Sequence, residues 1–62
     1  MNLREALEIA VKDEAEAIKF YKDLAGQAED PETRVMLEQI AREEEGHFKR
    51  LSDRLKAIKL LG

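Results

Sequence analysis

The chain has 62 residues, of which 40% are charged, with a net charge of −3 and no cysteine. Without cysteine it can form neither disulfide bonds nor thiolate zinc sites, and the near balance of charges argues against a nucleic-acid-binding protein, which is usually strongly basic. A chain this short has too small a core to be comfortably stable alone, so a metal or a partner chain is expected.

The chain shows no sign of membrane insertion or export. No apolar run reaches the roughly 18 residues that suggest a membrane-spanning helix. The first ten residues, MNLREALEIA, contain acids and lack the apolar core of a secretory signal. We therefore expect a soluble, cytoplasmic protein with no membrane partner.

The first predicted element is a helix over about residues 3–28. Asn2 is placed to cap its start, with Glu5 three residues later in capping-box spacing. Seam residues recur at alternating steps of four and three, the spacing of a helix face that packs against other helices. This first seam is Leu3, Leu7, Ala10, Glu14, Ala17, Tyr21, Leu24 and Ala28, widened on one side by Val11, Ile18 and Ala25.

A sharp turn is predicted at residues 29–31. Pro31 biases Asp30 away from helical backbone, yet Pro31 itself suits the first position of a new helix. Asp30 then caps a second helix over about residues 31–60. On the exposed side of this helix, Glu45 and Lys49 are expected to form an ion pair one turn apart. The second seam is Leu37, Ile40, Glu44, His47, Leu51, Leu55 and Ile58, flanked by Ala41 and Phe48.

These elements predict an all-α fold, a single helical hairpin that occupies residues 1–62. Each seam is wider than one neighbouring helix can cover, so two hairpins are expected to dimerise into a four-helix bundle. Ile9 and Phe20 lie on a second strip of the first helix. They are either scattered surface residues, which are common, or an interface that assembles dimers into a larger ring.

Three ionisable residues, Glu14, Glu44 and His47, interrupt the middle of the two seams. A carboxylate in a packed seam is costly unless it is paired or bound to a metal. Glu44 and His47 are three residues apart and share a helix face, while Glu14 and Glu44 are each about 15 residues from the turn and so stand at one height. The plain alternative is a salt-bridged or solvated pair on a charged helix.

One hairpin therefore offers half of a known set of ligands. Carboxylate-bridged di-iron bundles use a Glu from each of two helices and Glu-x-x-His from each of the other two. Oxygen and imidazole ligands suit iron, with manganese as the alternative. Tyr21, two turns beyond Glu14, is either a core aromatic residue or a hydroxyl bonded to a ligand carboxylate. Asp13 and Glu16 are candidates for drawing Fe²⁺ toward the site.

The stretches ALEIAVKDEAEAIKFYKDLA and LEQIAREEEGHF resemble the rubrerythrin-like branch of the ferritin-like superfamily. The matching elements are Glu14-x-x-Ala17-x-x-x-Tyr21 and Glu44-x-x-His47, within a resemblance that covers residues 3–58. A single hairpin of this kind is similar to the encapsulated ferritins, whose ferroxidase centre forms between two chains. The resemblance implies that Glu14, Glu44 and His47 are iron ligands, with two irons per dimer and Tyr21 beside them.

The function implied by this resemblance is a ferroxidase that oxidises Fe²⁺ with O₂ or peroxide for iron storage or detoxification. An encapsulating protein shell is then a candidate partner and compartment. A second reading is peroxide or O₂ scavenging with electrons from a separate redox protein, because the cysteine-bound iron of full rubrerythrins cannot exist here. A third reading is a non-catalytic oligomerisation module whose polar seam residues fix the register of the helices.

Overall fold

The computed structural model describes residues 1–62 as two helices joined by a short corner. Helix α1 spans Leu3–Gln27 and helix α2 spans Pro31–Leu60. They pack side by side in a body with extents of 48 × 17 × 12 Å, which confirms the all-α helical hairpin. Helix α1 ends one residue before its predicted end, because Ala28 takes extended backbone. Neither helix is both long enough and apolar enough to cross a membrane.

Side chains cap the start of each helix as the sequence predicts. The Glu5 amide donates a hydrogen bond to Asn2 Oδ1 at 2.8 Å, and the Asn2 side-chain amide donates to the Glu5 carboxylate at 3.2 Å. The Thr33 amide and hydroxyl both donate to Asp30 Oδ2, at 2.7 and 2.6 Å. Pro31 follows as the first residue of α2, where a missing amide costs nothing. These caps fix where the helices begin on either side of the corner.

The hairpin buries very little of itself. Only Ala25, Ala41 and Leu55 are buried, and a two-helix chain can bury a residue only between its helices. The exposed surface is 4834 Å², against about 4,100 Å² for a compact monomer of this mass. The single chain therefore leaves apolar surface uncovered, as expected of a hairpin that packs on another chain. The bundle itself stays a prediction.

Two of the three buried residues, Ala25 and Ala41, flank the predicted seams, and the third, Leu55, lies on the second seam. They belong to rows spaced by seven residues that meet between the helices: Val11, Ile18 and Ala25 on α1, and Ala41, Phe48 and Leu55 on α2. Most of the other seam positions keep part of their surface exposed, and Leu3 is 58% exposed. Ile9 and Phe20 are exposed as expected, and so are Val35 and Met36, which the sequence analysis did not single out.

The predicted ion pair between Glu45 and Lys49 is wrong. The Lys49 ammonium instead bonds to Asp53 at 2.8 Å, and Glu45 lies 3.7 Å from the ammonium of Lys22 on α1. Lys49 has one carboxylate a turn before it, Glu45, and another a turn after it, Asp53. Because Lys49 pairs with Asp53, Glu45 is available to Lys22 of the neighbouring helix. The bond raises the pKa of Lys49 and lowers that of Asp53.

Candidate metal centre

Near the middle of the hairpin, Glu14 of α1 meets Glu44 and His47 of α2. Each residue offers one ligand atom, and the three atoms lie within 4.8 Å of one another. The Nδ1 atom of His47 is 3.5 Å from Oε1 of Glu44 and 3.8 Å from Oε2 of Glu14. Equal spacing from the corner thus predicted correctly that these side chains meet. Their role as ligands remains a prediction.

The two carboxylates are more sheltered than the imidazole. The side chains of Glu14 and Glu44 are 22% and 20% exposed, whereas that of His47 is 51% exposed. The imidazole therefore stands at the open face of the cluster, which no other part of this chain covers. A ligand set completed by a second molecule would approach from this face.

Glu14 carries a polar atom that the hairpin does not satisfy. Its Oε2 is buried and accepts no hydrogen bond. The pKa of Glu14 is raised, first by the hydrogen bond that its protonated form shares with Glu44, then by desolvation and by the negative charge of Glu44, while His47 opposes the shift. When both carboxyl groups are ionised, two like charges face each other in a partly desolvated place, which is costly.

A cation would resolve this conflict, and the donors present fit one. Two carboxylate oxygens and an imidazole nitrogen are the donor types that suit Fe²⁺ and Mn²⁺. A bound ion would neutralise the facing carboxylates and give the unsatisfied Glu14 oxygen a partner. Three donors from one chain are only half of the set that a carboxylate-bridged pair of ions uses.

The other predicted site residues lie outside this cluster. Tyr21 is half-buried, and its ring meets that of Phe20 edge to face with centroids 5.2 Å apart. Its hydroxyl forms no hydrogen bond within the hairpin, so a bond to a ligand carboxylate would need a second chain. Asp13 and Glu16 are exposed, and the charge of Asp13 helps to raise the pKa of Glu14.

An open cavity of about 470 Å³ adjoins the cluster and contains two residues that the sequence analysis missed. It is lined by Leu7, Glu14, His47, Arg50, Leu51 and Arg54. Arg50 and Arg54 follow His47 by three and seven residues, the spacing that keeps side chains on one helix face. That spacing was the available signal. Neither arginine has a carboxylate within ion-pair distance in the chain.

Comparison with known proteins agrees with the site. The family model described as rubrerythrin matches residues 1–60, which confirms the resemblance drawn from the two glutamate motifs. An uncharacterised protein of Archaeoglobus fulgidus is 39% identical over 61 residues, which covers 98% of this chain and 95% of that protein. No solved structure matches the chain significantly.

Proposed function

Because this chain belongs to the rubrerythrin family, which is ferritin-like, usually binds iron and is related to oxidoreductases, we propose that it oxidises Fe²⁺ at a di-iron carboxylate site formed between two chains. The observation that carries the proposal is the cluster of Glu14, Glu44 and His47, with its unsatisfied Glu14 oxygen. Two such clusters supply four glutamates and two histidines, the set that carboxylate-bridged di-iron bundles use.

Each side chain has a distinct task in this proposal. Glu14 and Glu44 hold the iron substrate as terminal or bridging carboxylates, and His47 supplies a terminal nitrogen. Anionic ligands stabilise Fe³⁺ more than Fe²⁺, because the ion of higher charge gains more from them, and this favours oxidation. Each ligand must be free of its proton to bind, so iron uptake releases protons, including any held by Glu14 at its raised pKa.

The electrons balance with O₂ and hydrogen peroxide as the only oxidants. Each Fe²⁺ gives up one electron, and a pair of ions reduces O₂ with two protons to hydrogen peroxide. A second pair reduces that peroxide with two further protons to water. The Fe³⁺ product leaves the site for storage. Manganese is the alternative ion for the same donors.

The surroundings of the site have roles in the proposal as well. Asp13 and Glu16 are exposed acids on the same helix as Glu14, and their negative charge would raise the local concentration of Fe²⁺.

The homodimer is the smallest assembly that completes the site. Exposed Ile9 and Phe20 are proposed to join dimers into a ring, with a protein shell as the candidate compartment.

The test combines metal content with oxygen consumption. Protein loaded with Fe²⁺ under anaerobic conditions is analysed for iron per chain and for mass in solution, and then O₂ is admitted and its uptake is followed. We expect about one iron per chain in a dimer or larger assembly, because each chain supplies half of a two-metal site. Oxidation should be faster than in protein-free buffer.

Two variants make the assignment specific. Glu44→Gln removes one ligand oxygen and is expected to slow oxidation by at least about tenfold, since even the loss of a group that only supports a ligand costs this much. Glu45→Gln makes the same chemical change at the next residue, which is exposed and paired with Lys22, and should oxidise Fe²⁺ normally. Unchanged oxidation in Glu44→Gln, or a monomer that holds one iron tightly, would overturn the proposal. A wild-type chain that assembles without binding iron would instead be an oligomerisation module.

A further inference from the structure

Helix α2 carries another set of residues that is spaced like a helical seam and is largely uncovered in the chain. It shares Ile40 and His47 with the predicted second seam. Starting at Met36, the steps alternate four and three, as in helices that pack along one another. At about 100° per residue, this set lies roughly a third of a turn away from the row that packs on α1. We call it the α2 strip: Met36, Ile40, Glu43, His47, Arg50, Arg54 and Ala57.

The α2 strip is open to solvent along most of its length. Met36 is 51% exposed, and all the charged members of the strip are exposed as well. Apart from the approach of Glu14 to His47, the hairpin covers little of this side of α2, because the other helix packs mainly on the row of Ala41 and Leu55. The strip therefore has the pattern of an interface and lacks the second helix.

Along the α2 strip, a negative charge and a positive charge lie on opposite sides of His47. Glu43 precedes His47 by four residues, and Arg50 follows it by three. At 1.5 Å per residue, the two charges lie about 6 and 4.5 Å to either side of the level of His47. Neither Glu43 nor Arg50 has an ion-pair partner within the chain. Glu43 and Arg50 thus lie at nearly equal distances from His47 along the helix, and both are unpaired on one face.

This order is complementary to itself when the strip is reversed. If two α2 strips run antiparallel about a two-fold axis near His47, Glu43 of each copy meets Arg50 of the other. Met36 and Ile40 then lie toward Ala57 and the aliphatic stem of Arg54. Parallel pairing would instead place Glu43 against Glu43 and Arg50 against Arg50, so that like charges oppose association.

We propose that the α2 strip packs antiparallel on the α2 strip of a second copy of this chain, with Glu43 and Arg50 paired across the two-fold axis. The inference rests on the proposed function in that both require a dimer of hairpins. It adds that the charges of Glu43 and Arg50 select the orientation of the two hairpins in that dimer. Centring the contact on His47 brings the two ligand clusters together, so the charges of the strip align the two halves of the site.

The test reverses these charges and measures dimerisation of the full-length chain by sedimentation, both metal-free and with Fe²⁺ under anaerobic conditions. Glu43→Arg turns both cross-axis pairs of a dimer into arginine pairs, and Arg50→Glu turns both into glutamate pairs. Each variant is expected to weaken the dimer roughly tenfold, the combined effect of two exposed ion pairs reversed in sign. The double variant E43R/R50E carries the reversed pairs in every dimer and should dimerise like the wild type.

Mixing the two single variants gives a second test of the same pairing. In the mixed dimer, one cross-axis pair is the original Glu43 with Arg50, and the other joins the two introduced side chains, which also carry opposite charges. The mixture should therefore associate more tightly than either variant alone.

Glu38→Arg and Lys56→Glu serve as control variants because they make the same changes of charge elsewhere on α2. At about 100° per residue, both positions lie on the side of α2 opposite the strip, so these variants should leave dimerisation unchanged. Circular dichroism establishes that each variant remains helical. If a reversal unfolds the chain, Glu43→Gln and Arg50→Gln replace it, each with a weakening of about threefold.

The outcomes separate this inference from the proposed function. Single reversals that dimerise like the wild type, or a double variant that does not recover, would overturn the antiparallel pairing while leaving Fe²⁺ oxidation by the wild-type dimer untouched. Controls that weaken the dimer as much as the strip variants would also overturn it, because net charge alone would then explain the effect. A wild-type chain that is monomeric with and without Fe²⁺ would overturn both proposals.

Discussion

Adding Fe²⁺ in the absence of oxygen is expected to drive the hairpin from monomer to dimer. One chain brings two carboxylates and one imidazole within 4.8 Å, and a second chain doubles that set around two ions. An ion that binds only the assembled form stabilises it by RT ln(1 + [L]/Kd), about 2.7 kcal/mol at a hundredfold excess over Kd. Two ions per dimer give about 5.4 kcal/mol, which is a shift of about 10⁴-fold in the dimerisation constant.

The assay is sedimentation velocity under anaerobic conditions, at protein concentrations where the metal-free monomer is measurable. His47→Ala removes the nitrogen donor and should blunt the response to Fe²⁺ at every pH. Lowering the pH from about 7.5 to about 5 should weaken the response of the wild type, because protons compete with metal for all three ligand types. The raised pKa of Glu14 means that this competition begins above the usual range of a carboxyl group.

Two results would refute this reasoning. One is dimerisation that does not change when Fe²⁺ is added at neutral pH, since a half-site in each chain requires such a change. The other is a His47→Ala variant that responds like the wild type, which would mean that the imidazole is not a ligand. Circular dichroism at the lower pH establishes that the helices are intact there, and Glu45→Gln serves as the matched surface variant.

Three further variants test individual residues. Glu14→Gln is expected to abolish Fe²⁺ oxidation, followed by absorbance after rapid mixing with O₂, and to leave the metal-free helices intact by circular dichroism. Because the folded chain raises the pKa of Glu14, protonation favours the fold: the metal-free wild type should gain stability to urea as the pH falls through that raised pKa toward the ordinary 4.5, and the variant should lack this gain. Tyr21→Phe should lower Fe²⁺ affinity by about 10–100-fold in a titration if the hydroxyl supports a ligand of the second chain, whereas unchanged affinity would assign Tyr21 to packing. Asp30→Ala removes the cap of α2 and should lower the melting temperature by about 4–8 °C. The hydroxyl and amide of Thr33 lower the pKa of Asp30, so this difference should be present above the ordinary value of 3.8 and disappear as the pH falls through the lowered pKa.

The hairpin and the meeting of its three site residues could be predicted because local signals determine them. The caps at Asn2 and Asp30 mark the helix starts, and Pro31 sets the corner between the helices. Once the corner is fixed, the helical rise determines which residues share a height. Glu14 and Glu44 are spaced about equally from it, so their common height required no knowledge of the packing between the helices, and their positions on the two apolar faces turned both toward the neighbouring helix.

The rotation of the helices about their own axes could not be predicted in the same way. A wide apolar face has the same period at its centre and at its margins, so periodicity does not tell which row packs inside the chain. Ala25 and Ala41, at the margins of the predicted seams, are buried, while Leu3 on the seam is exposed. The cross-helix pair of Lys22 and Glu45 depends on this rotation, which is why a local pair with Lys49 was predicted instead.

The core of the single hairpin is small and its set of metal ligands is incomplete, and these two features are connected through Glu14 and Glu44. A partner hairpin that covers the open face would bury these carboxylates more deeply, and burying like charges without a counterion opposes association. A metal ion removes that opposition, and in turn it gains affinity as the partner excludes water and adds donors. Covering the apolar surface and filling the site therefore favour each other in the proposed dimer. The same coupling explains why Glu14→Gln should ease association of the metal-free chains while it removes their response to Fe²⁺.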